Sequence, residues 1–343
     1  MKKYFLLLPL LLVIACEKIV KPTEGKDGDV YIVNNGSWGD NNAEITVYDI
    51  EEKISGPAMF ASVNGKKCGD LAQDILHEDD FLYISVNGSQ IIYKTDENLK
   101  IVSEIVYEHD GKRLSPRYLC EGDDCIYVTY YEGYLGRIDK KDKVSITPVG
   151  SYPEGLAYLD GKIYVANSGG MNYPDYDNTV SIVDARTFKE SEKITVNCNP
   201  SLVRECDGKI YVSSLGNYTT LPPALQCIDT KTKKVSQLDY SGVSSFDCDD
   251  DKLYILCGGY DDYYNPLPGT VYVYDCEKDV KMGPLSSDGT TIPNAYSISC
   301  AADMIWVGSS DYKTSGDVYV FDLRGKLYDK FNSGGLNPIR VTE

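Results

Sequence analysis

A short strand-like pattern, apolar-aromatic-apolar followed by small polar residues, returns seven times along the chain. The copies are VYIVNNG (30–36), LYISVNG (82–88), IYVTYYEG (126–133), IYVANSGG (163–170), IYVSSLGN (210–217), LYILCGGY (253–260) and IWVGSSDY (305–312). Their central aromatics are Tyr31, Tyr83, Tyr127, Tyr164, Tyr211, Tyr254 and Trp306, spaced 37 to 52 residues apart, about 46 on average. That is the period of a four-stranded propeller blade. Each copy has companions. Downstream lies a strand ending in Asp49, Asp139, Asp184, Asp229, Asp275 or Asp322, with Lys94 in that place in the second unit. These Asp side chains read as caps of the turn that follows. Upstream lies a strand introduced by Ser115-Pro116-Arg117, Tyr152-Pro153-Glu154-Gly155 or Asn199-Pro200-Ser201. Alternating patterns and short turns leave no room for a long helix. The first unit lacks its upstream strand, and Asn337-Pro338-Ile339-Arg340-Val341 supplies a matching one at the other end. Pairing of that segment beside Tyr31 would close the ring and leave no open sheet edge. The expectation is an all-β, seven-bladed β-propeller of four-stranded blades, one domain over 28–343, sealed by its C-terminal strand.

The first residues follow a different logic. Lys2 and Lys3 precede a short apolar run that ends in Val13-Ile14-Ala15-Cys16. Roughly 20 apolar residues are needed to span a bilayer, so this run matches a secretory signal instead. The small residue before Cys16 resembles a bacterial lipobox. Residues 1–15 are therefore expected to be removed, with Cys16 as the lipid attachment site and 16–27, containing Pro22 and Gly25, as a tether. The plainer alternative is an ordinary signal with a chance Cys. Of eleven Cys, ten lie beyond Cys16. No CxxC pair is present, so a zinc site is not expected. Disulfides, with Cys120 and Cys125 or Cys206, Cys248 and Cys300 as candidates, and free buried thiols remain equally open.

Charge and motif content narrow the function. Thirty-four basic against 52 acidic residues give a formal charge of −18, which argues against gripping nucleic acid or an anionic membrane surface. The two His, His77 and His109, lie in different units, with His77 placed near the turn-bearing face. A Ser/His/Asp triad is not expected, and GxSxG, GxGxxG and P-loop motifs are absent. No catalytic residue and no metal ligand is assigned. Asp261-Asp262 with Asn265 reads as a solvated acidic loop rather than a cation site. Acidic pairs for glycoside hydrolysis carry no signal in a chain this acidic.

Tyr is the unusual residue: 29 copies against 7 Phe and 2 Trp. In a propeller, loops into the innermost strand and loops from the second to the third strand share one face. The long segments 34–42, 130–134, 167–178, 213–223, 258–269 and 308–316 fall there, whereas turns such as Asp160-Gly161 crowd the other face. Those segments hold Trp38, Tyr130, Tyr131, Tyr134, Tyr173, Tyr176, Tyr218, Tyr260, Tyr263, Tyr264 and Tyr312. Aromatics among Gly, Asn and Ser suit recognition, because Tyr offers contact area at small entropic cost. Aligned innermost strands bring Gln73, Arg117, Glu154, Ser201, Ser244, Tyr296 and Ile339 to one level at the channel mouth. Arg117 and Tyr296 join the candidate ligand-binding set. Arg117 and Glu154 are placed to meet a ligand or each other.

The repeat strands, with NNGSWGDNNAEITVYD (34–49), PEGLAYLDGKIYVANSG (153–169) and DNTVSIVDARTFK (177–189), resemble YncE-like and surface-layer-type propeller lipoproteins. Within that group the chain is most similar to the BtuG-type surface lipoproteins. The resemblance implies a surface-exposed outer-membrane lipoprotein that binds cobalamin or a related corrinoid. It implies transfer to an outer-membrane transporter of the BtuB type, with no other cofactor required and membrane contact only through the Cys16 lipid. No short contact motif of that family carries over residue by residue. A glycan-binding or adhesion propeller is the alternative, and a propeller lyase or lactonase a more distant one.

Overall fold

A strand with apolar side chains on both faces must be covered on both, and here each repeated strand lies between two neighbouring sheets. The computed structural model describes residues 28–258, 267–286 and 288–343. Within them, seven four-stranded antiparallel sheets follow one another around a ring. We number these blades 1 to 7. The innermost strands are Pro338–Thr342, Ala72–Glu78, Pro116–Gly122, Pro153–Leu159, Pro200–Cys206, Val243–Asp249 and Ala295–Ala301. The second strands are Asp29–Asn34, Phe81–Val86, Cys125–Tyr130, Lys162–Asn167, Lys209–Ser214, Lys252–Cys257 and Met304–Ser309. Helix among the described residues is confined to Met59–Asn64. A small hairpin, Glu108–His109 with Lys112–Arg113, joins blades 2 and 3. The expected signal and tether lie outside the described residues.

Ring closure takes the form expected from the termini. Pro338–Thr342 pairs antiparallel with Asp29–Asn34, setting Tyr31 opposite Thr342 and Ile32 opposite Val341. Backbone hydrogen bonds from the two ends of the chain thus share one sheet.

Period-two alternation explains how the blades adhere. In blade 1, Val30 and Ile32 pack with Trp306 and Val320 of blade 7, while Tyr31 and Val33 pack with Ile75 and Ile84 of blade 2. Each neighbour repeats the arrangement: Tyr83 faces blade 3, Tyr127 blade 4, Tyr164 blade 5, Tyr211 blade 6 and Tyr254 blade 7. Trp306 completes the circle edge-on to Tyr48 of blade 1 at 5.6 Å, its indole N–H donating to the Ala301 carbonyl at 2.9 Å. All seven central aromatics are buried.

The Asp residues at the ends of the third strands cap turns, as read from the sequence. Asp49 accepts from the Glu52 N–H, Asp139 from Lys141 and Lys143, and Asp184 from Thr187. Asp229 accepts from Lys231 and Thr232, Asp275 from Lys278, and Asp322 from Arg324 and Lys326. The second unit needs a correction. Its structural equivalent is Asp96, opposite Phe81 and capping the Lys100 N–H at 2.8 Å, while Lys94 lies two residues earlier and reaches Asp142 of blade 3.

Trp306→Ala removes a buried indole where the ring closes. It is expected to cost about 3–5 kcal/mol, read as a lower denaturant midpoint by tryptophan-independent circular dichroism; an unchanged midpoint would contradict the closing role.

Candidate ligand-binding face

The innermost strands begin on the loop face, and each begins with a β-bulge. In all seven blades the register shows one more residue on the innermost strand than on its partner. The shift falls at the stretches containing Gln73, Arg117, Glu154, Ser201, Ser244, Tyr296 and Ile339, each the second residue of its strand. A bulge bends a strand and re-aims side chains. Here it occurs at one level around the mouth.

Beneath that mouth, three guanidinium groups meet three carboxylates. Arg117 donates through Nε and Nη2 to Glu154 Oε2, at 2.8 and 2.6 Å, and through Nη1 to Gln73 Oε1 at 2.8 Å. Arg117 and Glu154 therefore engage each other. Arg204 Nε and Arg340 Nη1 both donate to Asp247 at 2.6 Å, and Arg340 Nε lies 3.6 Å from Asp74. The two Asp also accept backbone N–H groups from the next blade, Leu119 on Asp74 and Cys300 on Asp247. Burial pushes the Asp74 and Glu154 carboxyls up from their usual range. Burial opposes ionisation of Asp247 too, but Arg340 and Arg204 outweigh it and hold that carboxyl below the ordinary value. A cavity of about 240 Å³ lies in this channel, lined by Gln73, Asp74, Ser201, Arg204, Tyr296 and Arg340 among others.

A larger cleft, of about 880 Å³, opens on the loop face across blades 5, 6 and 7. Tyr218, Tyr296 and Tyr312 form aromatic walls; Leu215, Leu221, Pro222, Pro223 and Leu267 add apolar surface, and Ser244, Asn294 and Ser310 polar groups. Leu215, Ser244 and Tyr296 border both the cleft and the channel cavity, so the two spaces share a wall. Tyr296 and Tyr312 meet edge-on at 5.4 Å. From Tyr218 an edge-on aromatic chain continues through Tyr176, at 6.0 Å, to Tyr173, at 6.1 Å. Nearby, Tyr131 sits over the Arg117 guanidinium, 5.1 Å from its ring centre, and edge-on to Tyr152 at 4.9 Å.

The expected residues thus divide. Tyr131, Tyr173, Tyr176, Tyr218, Tyr296, Tyr312 and Arg117 gather around the mouth and cleft. Trp38 is 74% exposed on blade 1, in a loop held by the Asp70 carboxylate on the Gly39 N–H. Tyr130 requires a correction. It ends the second strand of blade 3, is 2% exposed, and packs between blades 2 and 3 near Tyr107, so its ring does not reach the face. Tyr134 begins the third strand opposite it and rests on His109 of the small hairpin. Tyr260, Tyr263 and Tyr264, with Asp261, Asp262 and Asn265, lie outside the described residues. Cys16 does too.

Tyr152 escapes a sequence reading because it sits in a segment that introduces an innermost strand, not in a long loop. Its left-handed backbone, φ 49°, marks a tight turn just before Pro153. The Arg204–Asp247 pair joins equivalent positions of adjacent repeats, a signal that repeat alignment could have exposed.

Titratable groups elsewhere are scattered. His77 lies on the turn face, with Nδ1 2.7 Å from the Glu343 carbonyl and Nε2 3.4 Å from Glu97, whereas His109 belongs to the small hairpin and meets Tyr134. Asp251, Asp275 and Glu277 bring carboxylate oxygens within 4.8 Å on that same face, where Lys252 and Lys278 already pair with the two Asp.

The fold and its mouth define the chain as a seven-bladed β-propeller with a loop-face cleft. No protein-family model and no curated protein matches it. Among solved structures it is similar to the hydrazine synthase of Kuenenia stuttgartiensis, with TM-score 0.60 and 15% identity over 76% of this chain and 85% of that one. The computationally designed Ika8 protein gives 0.57 and 13% over 92% and 90%, and the Neurospora crassa Pan2 WD40 domain 0.55 and 12% over 74% and 75%. At such identities the likeness is one of fold.

Removing one partner of the mouth ion pair isolates a poorly solvated charge. Glu154→Ala is expected to cost on the order of 3 kcal/mol, whereas Arg117→Met with Glu154→Leu stays close to the parent. Chemical denaturation of the three proteins checks it, and equal losses in single and double variants would refute the pairing.

Proposed function

We propose that this chain is a non-enzymatic, lipid-anchored binding protein whose loop face captures a corrinoid, cobalamin or a relative, for delivery to an outer-membrane transporter of the BtuB type. The observation that carries this reading is the cleft walled by Tyr218, Tyr296 and Tyr312. A corrinoid is a broad, nearly neutral ring fringed with methyls and amides. Tyr rings cover apolar edges, while their hydroxyls, Asn294, Ser244 and Ser310 offer partners to amides. The channel below suits a neutral ligand, because its Arg117, Arg204 and Arg340 guanidinium groups are matched by Glu154, Asp247 and Asp74. In this reading Cys16 bears the lipid, the chain sits at the outer surface of the outer membrane, and capture does not rely on electrostatic steering.

Exposed rings also favour a second reading. Tyr173 and Tyr218 are each 67% exposed and linked through Tyr176, an arrangement on which sugar rings can stack. Glycan binding is the competing function.

Calorimetric titration with cyanocobalamin separates them. Corrinoid capture predicts saturable heat at micromolar protein, and at least tenfold weaker binding when Tyr296 and Tyr312 are both changed to Ala with the fold retained. No heat and no spectral change, together with a positive glycan array, would replace the corrinoid reading with the glycan one.

A further inference from the structure

Blades 5 and 6 meet over sulfur. Cys206 ends the innermost strand of blade 5, and Cys276 follows directly on the third strand of blade 6, Thr270–Asp275. Both are buried in one apolar cluster with Tyr211, Phe246 and Tyr274. The Cys206 thiol donates to the Cys276 sulfur across 3.0 Å. Such an approach joins two side chains 70 positions apart and crosses a seam between blades, where no backbone ladder runs. A third thiol nearby, Cys248, is turned to the Glu205 carbonyl at 3.0 Å. Cys120 and Cys125, close in sequence, are less well placed: in their hairpin Cys120 stands opposite Tyr127 and Cys125 opposite Gly122, a diagonal pair. Diagonal neighbours in a sheet lie about 7–8 Å apart, beyond ordinary disulfide reach.

We infer that Cys206 and Cys276 are a disulfide-forming pair that links blade 5 covalently to blade 6 when the chain meets a disulfide oxidant. The sulfurs need to close from 3.0 Å to about 2.05 Å, the length of the bond. The chemistry is thiol–disulfide exchange. While the seam is still open during folding, the thiolate of one of the two cysteines attacks one sulfur of the oxidant's disulfide, and the other oxidant sulfur leaves as a thiolate. The other cysteine then loses its proton and attacks the first cysteine's sulfur as the blades close, expelling the second oxidant thiolate. One disulfide forms as another breaks; two electrons and two protons pass to the oxidant. The hydrogen bond from Cys206 lowers the Cys276 thiol against the opposing effect of burial, with Tyr211 helping. Hydrogen bonding to Cys248 and Cys276, then burial, raises the Cys206 thiol.

The ligand-binding reading is not needed for this inference, and its test uses no ligand. The full chain is produced once in a reducing cytosol and once in an oxidising periplasm. Each product is denatured, its free thiols are alkylated, and its peptides are mapped by mass spectrometry. The periplasmic protein is expected to yield a peptide pair joined through Cys206 and Cys276, lighter by two hydrogens than its reduced parts; the cytosolic protein yields both alkylated. Its Tm should fall by roughly 5–10 °C on reduction, as expected for a bridge closing a loop of this order in a large domain. In Cys206→Ser or Cys276→Ser that reductant-dependent shift should vanish. Two results overturn the inference: Cys206 and Cys276 both alkylated in the periplasmic protein, or Cys206 joined to Cys248 instead.

Discussion

Everything in this ring depends on one repeated contact: the central aromatic of each second strand packs against the next blade. A single four-stranded sheet with two apolar faces cannot persist in water. Seven such sheets can, provided each face finds a neighbour and the seventh finds the first. Tyr31, Tyr83, Tyr127, Tyr164, Tyr211 and Tyr254 make six of these contacts, and Trp306 against Tyr48 makes the last. Because the contact is side chain on side chain, it is non-directional and tolerant. Direction comes instead from the hydrogen-bonded pairing of Pro338–Thr342 with Asp29–Asn34, which sets the register of the whole circle.

Closure has a consequence at the centre. Seven innermost strands converge there, and their starts must turn from interblade loops into the channel without clashing. A bulge at each start meets that need and presents one side chain per blade at a common level. The channel below carries charge but balances it, since Arg117, Arg204 and Arg340 are answered by Glu154, Asp247 and Asp74. Buried ion pairs of this kind add little net stability. Their geometric value is that Arg117 spans from Gln73 in blade 2 to Glu154 in blade 4, and Arg340 from Asp247 in blade 6 to Asp74 in blade 2. A polar, electroneutral floor thus lies beside an apolar, aromatic cleft.

Much of this was legible in the linear chain, for identifiable reasons. The blade count follows from a repeat that any strand of this architecture must obey, and turn-capping Asp residues follow from local hydrogen bonding within a few positions. Errors arose where a local pattern had two readings. Tyr130 and Tyr131 are adjacent, and alternation sends one ring into the core and the other toward Arg117; only the strand's register says which. Lys94 stands where the other units carry Asp when the third strand is read along the chain, whereas pairing with Phe81 singles out Asp96. Tyr152 belongs to the mouth because its turn doubles back over Tyr131, which no count of residues reveals.

The sequence by itself determined an all-β ring of seven blades, its closure by the C-terminal strand, and the face on which long loops collect. These depend on periodicity, turn chemistry and the need to cover apolar faces, all of which are written locally. Tertiary structure alone decided which Tyr rings wall a cleft, which charges answer one another across the channel, and that Cys206 faces Cys276. The charge and thiol contacts join segments 37 to 70 residues apart, set by the angle and spacing of whole blades rather than by any neighbouring residue.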